Sequence, residues 1–350
     1  MCNIAGYVGS KQAAPILIEM LRRQETLDGG LSTGIATIHN GIIYHAKVIG
    51  GVDELLKNTE ALKFPGSIGI IHSRPDNNYV EYAHPFVSHS GKSAAVSNGN
   101  MCSDENLKLI RNSIAQFLNI RVGIKFKSAM EMNASSYPQL RDGKYVAYGE
   151  VFAETVENCV TVGAMSVEKA MADASSKLFA DVVNVLINTD NPENIYVTRI
   201  SRPMNILTLP GESYISTSQF GFSNLPGLDN IKTLPQMASC VVTKNGFTVC
   251  DAPITGGNVT DYTAEEYEHI KEQIRIQLQK ESSSMDTMGG GIITVDRSPD
   301  KLRPNVKLVY DILWDFYREG ILKTKQGKFL LPWTLDTIAP RTFFYIGDEK

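Results

Sequence analysis

MCNIAGYVGS, residues 1–10, places a cysteine directly after the first methionine and continues with small and apolar residues. Removal of Met1, which a small second side chain permits, would make Cys2 the first residue. Cys2 would then carry a thiol and an α-amine with an ordinary pKa of about 7.7–8.0, which can accept the thiol proton. The pattern therefore indicates a nucleophilic Cys2 that needs no histidine base. The alternative is a cysteine that stands at this position by chance.

The composition is that of a globular protein with enough apolar material for a core. Hydrophobic residues make up 43% of the 350 residues and charged residues 21%, and a chain of this length usually forms two domains. The formal charge of -4 argues against nucleic-acid binding, which needs a basic surface. No apolar run approaches the roughly 20 residues that span a bilayer, and no secretory signal opens the chain. We therefore expect a cytoplasmic protein that acts on small molecules.

Cofactor and metal motifs do not stand out in the sequence. The five cysteines show neither a disulfide framework nor a metal-binding spacing. The sequence carries no phosphate-binding loop and no dinucleotide fingerprint. We expect neither a cofactor nor a metal.

Strand-like and helical segments are mixed along the chain. Apolar runs bounded by turn residues predict strands at residues 67–73, 93–97, 181–188, 194–200 and 213–218. A period of 3.6 residues predicts helices that open near Pro15, Ser103 and Ser166. In the second of these helices, the predicted buried face consists of Leu107, Ile110, Ile114 and Phe117. The pattern favours an α+β protein.

A turn-rich stretch, APITGGN at 252–258, predicts a domain boundary. We therefore divide the chain into a first domain at 1–252 and a C-terminal module at 259–350. The module opens with a capping box, Thr263-Ala-Glu-Glu266, which predicts a helix.

The rest of the module contains three predicted elements. SSSMDTMGGG at 282–291 predicts a flexible loop, and a second helix is predicted from about 304 to 319. GILKTKQGKFLLPW at 320–333 resembles a hairpin. A helix followed by a hairpin is compatible with a winged-helix module.

The opening MCNIAGYVGS closely resembles that of class II glutamine amidotransferases, especially the glutaminase domain of glucosamine-fructose-6-phosphate synthases. The resemblance continues in order through IGIIHSR at 68–74, AHPF at 83–86 and AVSNGN at 95–100, and it resumes at 151 after an insertion of roughly Phe117 to Glu150. It covers about residues 2–250. It implies the four-layer αββα sandwich of N-terminal-nucleophile hydrolases, followed here by a small C-terminal α/β extension.

The resemblance also implies roles for four residues. Cys2 would attack the side-chain amide of glutamine, and Asn98 with Gly99 would hold the developing oxyanion. Arg74 would bind the α-carboxylate of the substrate, a task that suits the planar fork of its guanidinium. For Arg74 the alternative is a surface ion pair, and for Asn98-Gly99 it is an ordinary turn.

Two further substrate-binding candidates come from the same resemblance. Glu154 stands where the family has the aspartate that binds the α-ammonium group, although another alignment sets Val156 there. His84 belongs to the family's His-Pro element. The alternative for His84 is a histidine that merely packs in the core.

Departures from the family pattern leave the substrate open. The family's Trp-Ala-Thr-His-Gly after the arginine is replaced by PDNNY at 75–79, and its Arg-Gly-Tyr-Asp-Ser is altered to DGGLS at 28–32. An amidase for another linear amide is one alternative. A non-catalytic amino-acid sensor, with the C-terminal module as a regulatory or DNA-binding element, is the other.

The acceptor of the ammonia is not identified by the sequence. Residues 259–350 are too few for the tandem sugar-isomerase domains of the relatives. We expect glutamine or a related amide as the substrate, with the ammonia passing to a separate synthase subunit or being released by a stand-alone hydrolase. The sequence leaves a homo-oligomer open.

Overall fold

The computed structural model describes residues 2–75, 79–132, 136–291, 293, 296–331 and 336–348. Met1, whose removal the sequence predicts, lies outside the described residues. Asp76 to Asn78 of the altered PDNNY segment and the last two residues of the expected hairpin segment, Pro332 and Trp333, also lie outside them.

The strands are numbered in chain order. The first eight are β1 (Asn3–Val8), β2 (Ser32–His39), β3 (Ile42–Ile49), β4 (Ile68–Arg74), β5 (Phe86–Val87), β6 (Ser93–Asn100), β7 (Asp181–Asn188) and β8 (Ile195–Arg199). The others are β9 (Asn205–Leu209), β10 (Glu212–Ser216), β11 (Lys232–Thr233), β12 (Ala238–Thr243), β13 (Gly246–Val249), β14 (Leu322–Leu330) and β15 (Ile338–Ile346).

The α-helices are numbered in the same way. They are α1 (Ala13–Arg22), α2 (Glu25–Asp28), α3 (Val52–Asn58), α4 (Glu105–Phe117), α5 (Tyr148–Thr161), α6 (Val167–Lys177), α7 (Ala264–Lys280), α8 (Met285–Gly291) and α9 (Asn305–Arg318). Within the described residues, no helix is long and apolar enough to cross a membrane.

Two antiparallel sheets form the centre of the described structure. One sheet has the strand order β11-β9-β10-β1-β4-β2-β3 and the other has the order β13-β12-β8-β7-β6-β5. β1 is an inner strand, with β10 on one side and β4 on the other. β6 pairs with β7, so that Asn98 lies opposite Val183 and Gly99 opposite Val182.

The sheets pack face to face, and helices cover their outer faces. Ile4 and Ile70 of the first sheet share a core with Val185 and Val197 of the second. The next residues along the first sheet, such as Ile71, point the other way and pack on α1. α5 and α6 pack on the outer face of the second sheet, and α4 packs against these two helices. This arrangement confirms the four-layer αββα sandwich, and strands buried on both faces explain the continuous apolar runs in the sequence.

The predicted buried face of α4 is confirmed at Leu107 and Ile114, which contact the core, and is wrong at Ile110 and Phe117. Asp104, not Ser103, caps this helix, because its carboxylate accepts the N–H of Leu107 at 2.8 Å. The buried positions are Leu107, Arg111 and Ala115, whereas the side chains of Ile110 and Phe117 are exposed. A buried arginine shifts the covered face, since Arg111 donates to the carbonyl of Cys102. Hydrophobicity alone could not have indicated this.

The C-terminal module differs from its prediction at two places. The expected loop at 282–291 contains the helix α8. The expected hairpin segment at 320–333 supplies one long strand, β14, whose antiparallel partner is β15. The capping box at Thr263 and Glu266 is confirmed, with both hydrogen bonds formed. The division into two domains at these boundaries stays a prediction.

Residues of the C-terminal module pack against the first domain. Leu27 and Phe220 share a core with residues of α7, α9 and β15. Arg341 of β15 is fully buried; its Nε donates to Asp286 at 2.6 Å and its Nη1 to the carbonyl oxygen of Gly29 at 2.8 Å. This guanidinium therefore ties α8 to the chain that follows α2.

Replacing Arg341 with methionine should destabilise the protein by about 3–5 kcal/mol, because it leaves the carboxylate of Asp286 buried without its cation. Lys323→Met on the neighbouring strand is the matched control, since Lys323 is exposed, and its effect should stay within about 0.5 kcal/mol. The free energies of unfolding of both variants are measured with urea and compared with that of the unchanged protein. A loss below about 1 kcal/mol in R341M would show that the ion pair does not stabilise the packing of β15.

Candidate active site

Cys2 lies one residue before β1, and Asn98 of the other sheet holds its backbone. The Oδ1 atom of Asn98 accepts the backbone N–H of Cys2 at 3.2 Å, and its Nδ2 atom donates to the carbonyl oxygen of Cys2 at 2.7 Å. Asn98 is almost fully buried. The amide side chain therefore fixes both the position and the orientation of the candidate nucleophile.

A small cavity of about 50 Å³ joins most of the candidate site residues. Cys2, Arg74, His84 and Gly99 all line it. The other lining residues are Tyr82, Ser97, Met101, Tyr137, Ala147, Tyr148, Gly149 and Val182. The cavity has room for a few water molecules, and residues far apart in the sequence meet there.

Arg74 ends β4 and forms one wall of this cavity. Its Nη1 atom donates to the carbonyl oxygen of Tyr82 at 2.6 Å, and its Nη2 atom to the hydroxyl of Tyr137 at 3.5 Å. Tyr137 belongs to the insertion after α4, and its ring lies 5.6 Å from that of Tyr82. The insertion thus contributes a side chain to the candidate site, which the sequence did not indicate.

Gly99 occupies a position that no other residue could take without a shift of the backbone. A Cβ atom there would lie 2.0 Å from the carbonyl oxygen of Asp181, and the φ angle is +155°. The glycine therefore permits the close approach of β6 and β7 beside the cavity.

Glu154 lies on α5 and is not among the residues that line the cavity. Its Oε1 atom accepts the backbone N–H of His89 at 2.8 Å, and its Oε2 atom lies 2.7 Å from Nδ1 of the same histidine. Val156 is fully buried among core residues. The part of α5 that reaches the cavity is its first turn, with Tyr148 and Gly149.

His84, which lines the cavity, packs against His72 with the ring centroids 4.1 Å apart and the rings tilted by 42°. His72 is within hydrogen-bond distance of the carbonyl oxygen of Ser97 through Nε2, at 3.1 Å, so this nitrogen carries the proton. Burial lowers the pKa of His72 to about 3 and the pKa of His84 well below its ordinary value. Both rings are therefore neutral at pH 7. Among the described residues, no group of three or more His, Cys, Asp or Glu side chains could hold a metal ion.

The thiol of Cys2 is also neutral in this setting. Burial raises its pKa, the positive charges of Arg74 and Arg202 lower it, and the carboxylate of Asp28 raises it. Because burial is the largest effect, the thiol needs a base that removes its proton in the course of a reaction.

Asp28 introduces a buried network that the sequence analysis missed. It belongs to the altered DGGLS segment, and its Oδ2 atom accepts the hydroxyl of Tyr310 at 2.7 Å. Tyr310 lies on α9 and accepts the Nδ2 group of Asn3 at 3.4 Å. Asp28 and Tyr310 are both almost fully buried. The C-terminal module therefore contacts Asn3, the residue that follows Cys2. In the sequence, the only indication of this network was the acidic residue Asp28 in the altered DGGLS segment.

The fold resembles that of N-terminal-nucleophile proteins of the class II glutamine amidotransferase type, and comparisons with known proteins confirm this resemblance. The glutamine–fructose-6-phosphate aminotransferase [isomerizing] of Pyrococcus horikoshii is 29% identical over 259 residues, which cover 73% of this chain and 38% of that protein. The enzyme of the same name from Thermococcus kodakarensis is 25% identical over 252 residues, which cover 71% of this chain and 37% of that protein. The chain thus spans less than two fifths of these relatives. No family model matches it.

Solved structures support the same fold. The glutamine phosphoribosylpyrophosphate amidotransferase from B. subtilis superimposes with a TM-score of 0.53 at 17% identity, over 71% of this chain and 49% of that one. A structure described as the allosteric regulatory enzyme of purine biosynthesis superimposes with a TM-score of 0.54 at 15% identity, over 81% of this chain and 59% of that one. At these identities the likeness concerns the fold alone.

Replacing Asp28 with asparagine should lower the pKa of the Cys2 thiol, because the substitution removes a negative charge that raises it. Asparagine can still accept the hydroxyl of Tyr310. The measurement is the pH profile of Cys2 alkylation by iodoacetamide, followed by peptide mass spectrometry. The profile should move to lower pH in D28N and stay in place in D190N, an exposed control. A profile that is unchanged or moves to higher pH in D28N would exclude the electrostatic role of Asp28.

The buried His72 should make the protein less stable in acid. Its pKa is depressed from 6.5 to about 3 in the folded protein, so below pH 6.5 only the unfolded chain takes up the proton. The free energy of unfolding is therefore highest, as far as His72 is concerned, above pH 6.5. It falls by about 1.4 kcal/mol per pH unit as the pH decreases toward 3. His72→Asn, which keeps a donor for Ser97, should reduce the slope of unfolding free energy against pH accordingly. Equal slopes for both proteins, measured with urea from pH 6.5 down to about 5, would show that His72 is protonated in the folded state.

Proposed function

We propose that this chain hydrolyses the side-chain amide of glutamine through a thioester on Cys2 and releases glutamate and ammonia. The observation that carries the proposal is the meeting of Cys2, Arg74 and Gly99 around one cavity, with Asn98 hydrogen-bonded to Cys2. These residues are the ones to which the family resemblance gives the nucleophile, the carboxylate-binding and the oxyanion-binding roles. The sequence relationship to enzymes named for glutamine supports the choice of substrate.

The first half of the reaction forms the thioester. In the proposed mechanism, Met1 has been removed and the α-amine of Cys2 accepts the thiol proton. The sulfur then attacks the amide carbon, the carbon–nitrogen bond breaks, and the α-ammonium group returns the proton to the departing ammonia. Asn98 supports this step, because its Oδ1 atom lies 3.2 Å from the nitrogen of Cys2 and would hold the amine near the sulfur.

The oxyanion that forms on attack requires donors beside the sulfur. An asparagine amide has two N–H bonds, and one of those of Asn98 points to the carbonyl oxygen of Cys2. The second N–H can stabilise the oxyanion together with the backbone of Gly99, a contribution of about 2.7–4 kcal/mol for one such donor in other enzymes. In the second half of the reaction, water attacks the thioester carbon and the carbon–sulfur bond breaks to give glutamate.

Arg74 is proposed to bind the α-carboxylate of glutamine. Its positive charge lies on the wall of the cavity, where it also lowers the pKa of the Cys2 thiol. The same residue would therefore orient the substrate and favour the thiolate. Glu154 is left out of this proposal, since both of its carboxylate oxygens engage His89.

The ammonia is proposed to pass to an acceptor that another protein binds. The named relatives are aminotransferases of which this chain covers 38% and 37%. The matched part contains the αββα sandwich and the cavity. A synthase domain or a separate synthase subunit is the proposed partner, and release of free ammonia is the outcome expected when this chain is assayed alone.

The test uses the glutamine-mimicking electrophile 6-diazo-5-oxo-norleucine. One adduct should form on Cys2 of the native protein, and the intact mass should show that Met1 has been lost. Cys102→Ala should leave labelling unchanged, since Cys102 is buried and its pKa is raised to about 11. Active protein that retains Met1 would exclude the free-amine mechanism, and an adduct confined to Cys102 would exclude Cys2 as the nucleophile.

The role of Arg74 is tested with steady-state glutaminase kinetics. Cys2→Ala should abolish the release of glutamate. Arg74→Lys keeps the positive charge but loses the planar fork, so KM for glutamine should rise about tenfold or more. Testing asparagine and simple linear amides alongside glutamine checks the substrate. An unchanged KM in R74K, or equal rates with amides that lack an α-carboxylate, would contradict the assignment.

A further inference from the structure

A second and larger cavity lies between the first domain and the C-terminal module. Its volume is about 530 Å³, within the roughly 300–1,000 Å³ that small-molecule sites occupy. The end of β8, the segment after β11, and α9 contribute to its walls, and its charged and amide lining residues are Arg199, Gln236, Asp261, Lys307 and Asp311. None of the residues proposed for catalysis lines it. This cleft, defined by these five residues, is distinct from the candidate active site.

Arg199 is the most informative residue of the cleft. It is 3% exposed, and its Nε atom donates to the carbonyl oxygen of Arg202 at 2.8 Å while its Nη1 atom donates to that of Leu234. Its Nη2 atom is buried and has no hydrogen-bond partner among the described residues. Burial lowers the pKa of Arg199 to about 10, which the carboxylates of Asp261 and Asp311 partly offset. The guanidinium is thus held rigidly by two carbonyl groups and presents an unsatisfied donor.

Gln236 provides an unsatisfied acceptor in the same cleft. Its Nε2 group donates to Oδ2 of Asp261 at 3.0 Å, whereas its Oε1 atom is buried without a partner among the described residues. A buried polar atom without a partner is unfavourable, because it has lost its hydrogen bonds to water. A ligand that supplied an acceptor to Arg199 and a donor to Gln236 would remove both penalties.

The charges around the cleft restrict the class of ligand. Arg199 and Lys307 are positive, Asp261 and Asp311 are negative, and Lys307 is paired with Asp311. Asp311 also accepts the side-chain amide of Gln219 at 2.6 Å. A phosphate dianion would face two carboxylates here, which is unfavourable. A small zwitterion matches the balance, with its anionic end at the guanidinium and its cationic end at the carboxylate side.

We propose that this cleft binds a free α-amino acid as a second ligand site of the protein. The carboxylate of the amino acid accepts the Nη2 donor of Arg199, and the α-ammonium group donates to Oε1 of Gln236 and to the carboxylate of Asp261. The side chain of the amino acid lies toward the apolar part of the lining, which includes Leu234 and Leu308.

The site has a direct structural connection to the candidate active site. Lys307 and Asp311 of the cleft lie on α9, the helix that also carries Tyr310. Tyr310 donates to Asp28 and accepts from Asn3, the neighbour of Cys2. An amino acid in the cleft would therefore contact the same helix that reaches the residue beside the nucleophile.

The test measures binding with a full-length Cys2→Ser protein, so that turnover does not interfere. Thermal-shift screening of the proteinogenic amino acids identifies the probe, and isothermal titration calorimetry with that amino acid gives its Kd. The matching 2-oxo acid and the matching decarboxylated amine, which each lack one charge, should bind at least tenfold more weakly. Arg199→Lys, which keeps the charge but loses the fork, should weaken binding of the amino acid at least tenfold, and Gln236→Leu should weaken it several-fold. Lys323→Gln, an exposed position outside the cleft, should leave Kd unchanged.

Two outcomes would overturn the proposal. One is the absence of binding by any amino acid to the Cys2→Ser protein. The other is binding that is lost in Arg74→Lys and intact in Arg199→Lys, which would place the ligand in the cavity beside Cys2. If Arg199→Lys does not fold, Gln236→Leu decides, because Gln236 is only partly buried. Labelling of Cys2 by 6-diazo-5-oxo-norleucine is scored separately, so failure at the cleft and failure of the glutaminase proposal remain distinguishable.

Discussion

The pair of hydrogen bonds between Asn98 and the backbone of Cys2 is the contact on which the candidate site depends. Cys2 precedes an inner strand of one sheet and Asn98 lies on a strand of the other, so the amide bridges the two layers at the edge of the shared core. The next residue, Gly99, lets β6 approach β7 more closely than any side chain would allow. The position of the thiol is therefore fixed by packing of the whole sandwich and not by a local loop.

The central sheets could be predicted because their signal is strong and local. The runs at 68–74 and 181–188 are buried on both faces, so nearly every residue is apolar and the strand bounds follow from the sequence. The N-terminal motif and the Asn98-Gly99 pair could be placed because the family order gave their relative positions. None of this required knowledge of long-range contacts.

The sequence was less informative about residues whose surroundings are decided by distant partners. Arg111 is buried on α4 because a carbonyl of the preceding segment accepts from it, which reverses the expectation that Ile110 faces the core. The carboxylate of Glu154 accepts the backbone N–H of His89, and its substrate-binding role stays a prediction. Tyr137 and Tyr310 arrive at the site from an insertion and from the C-terminal module. Periodicity contains no information on such contacts.

Asp28 connects the surroundings of the Cys2 thiol to the C-terminal module. A buried carboxylate near the thiol opposes formation of the thiolate, and burial raises the pKa of Asp28 itself. Tyr310 donates to this carboxylate, and the guanidinium of Arg341, which also donates to the carbonyl oxygen of Gly29, lowers the pKa of Asp28. Because those partners lie on α9 and β15, the electrostatic environment of Cys2 depends on how the module packs. A change of that packing would therefore alter the pKa of the Cys2 thiol.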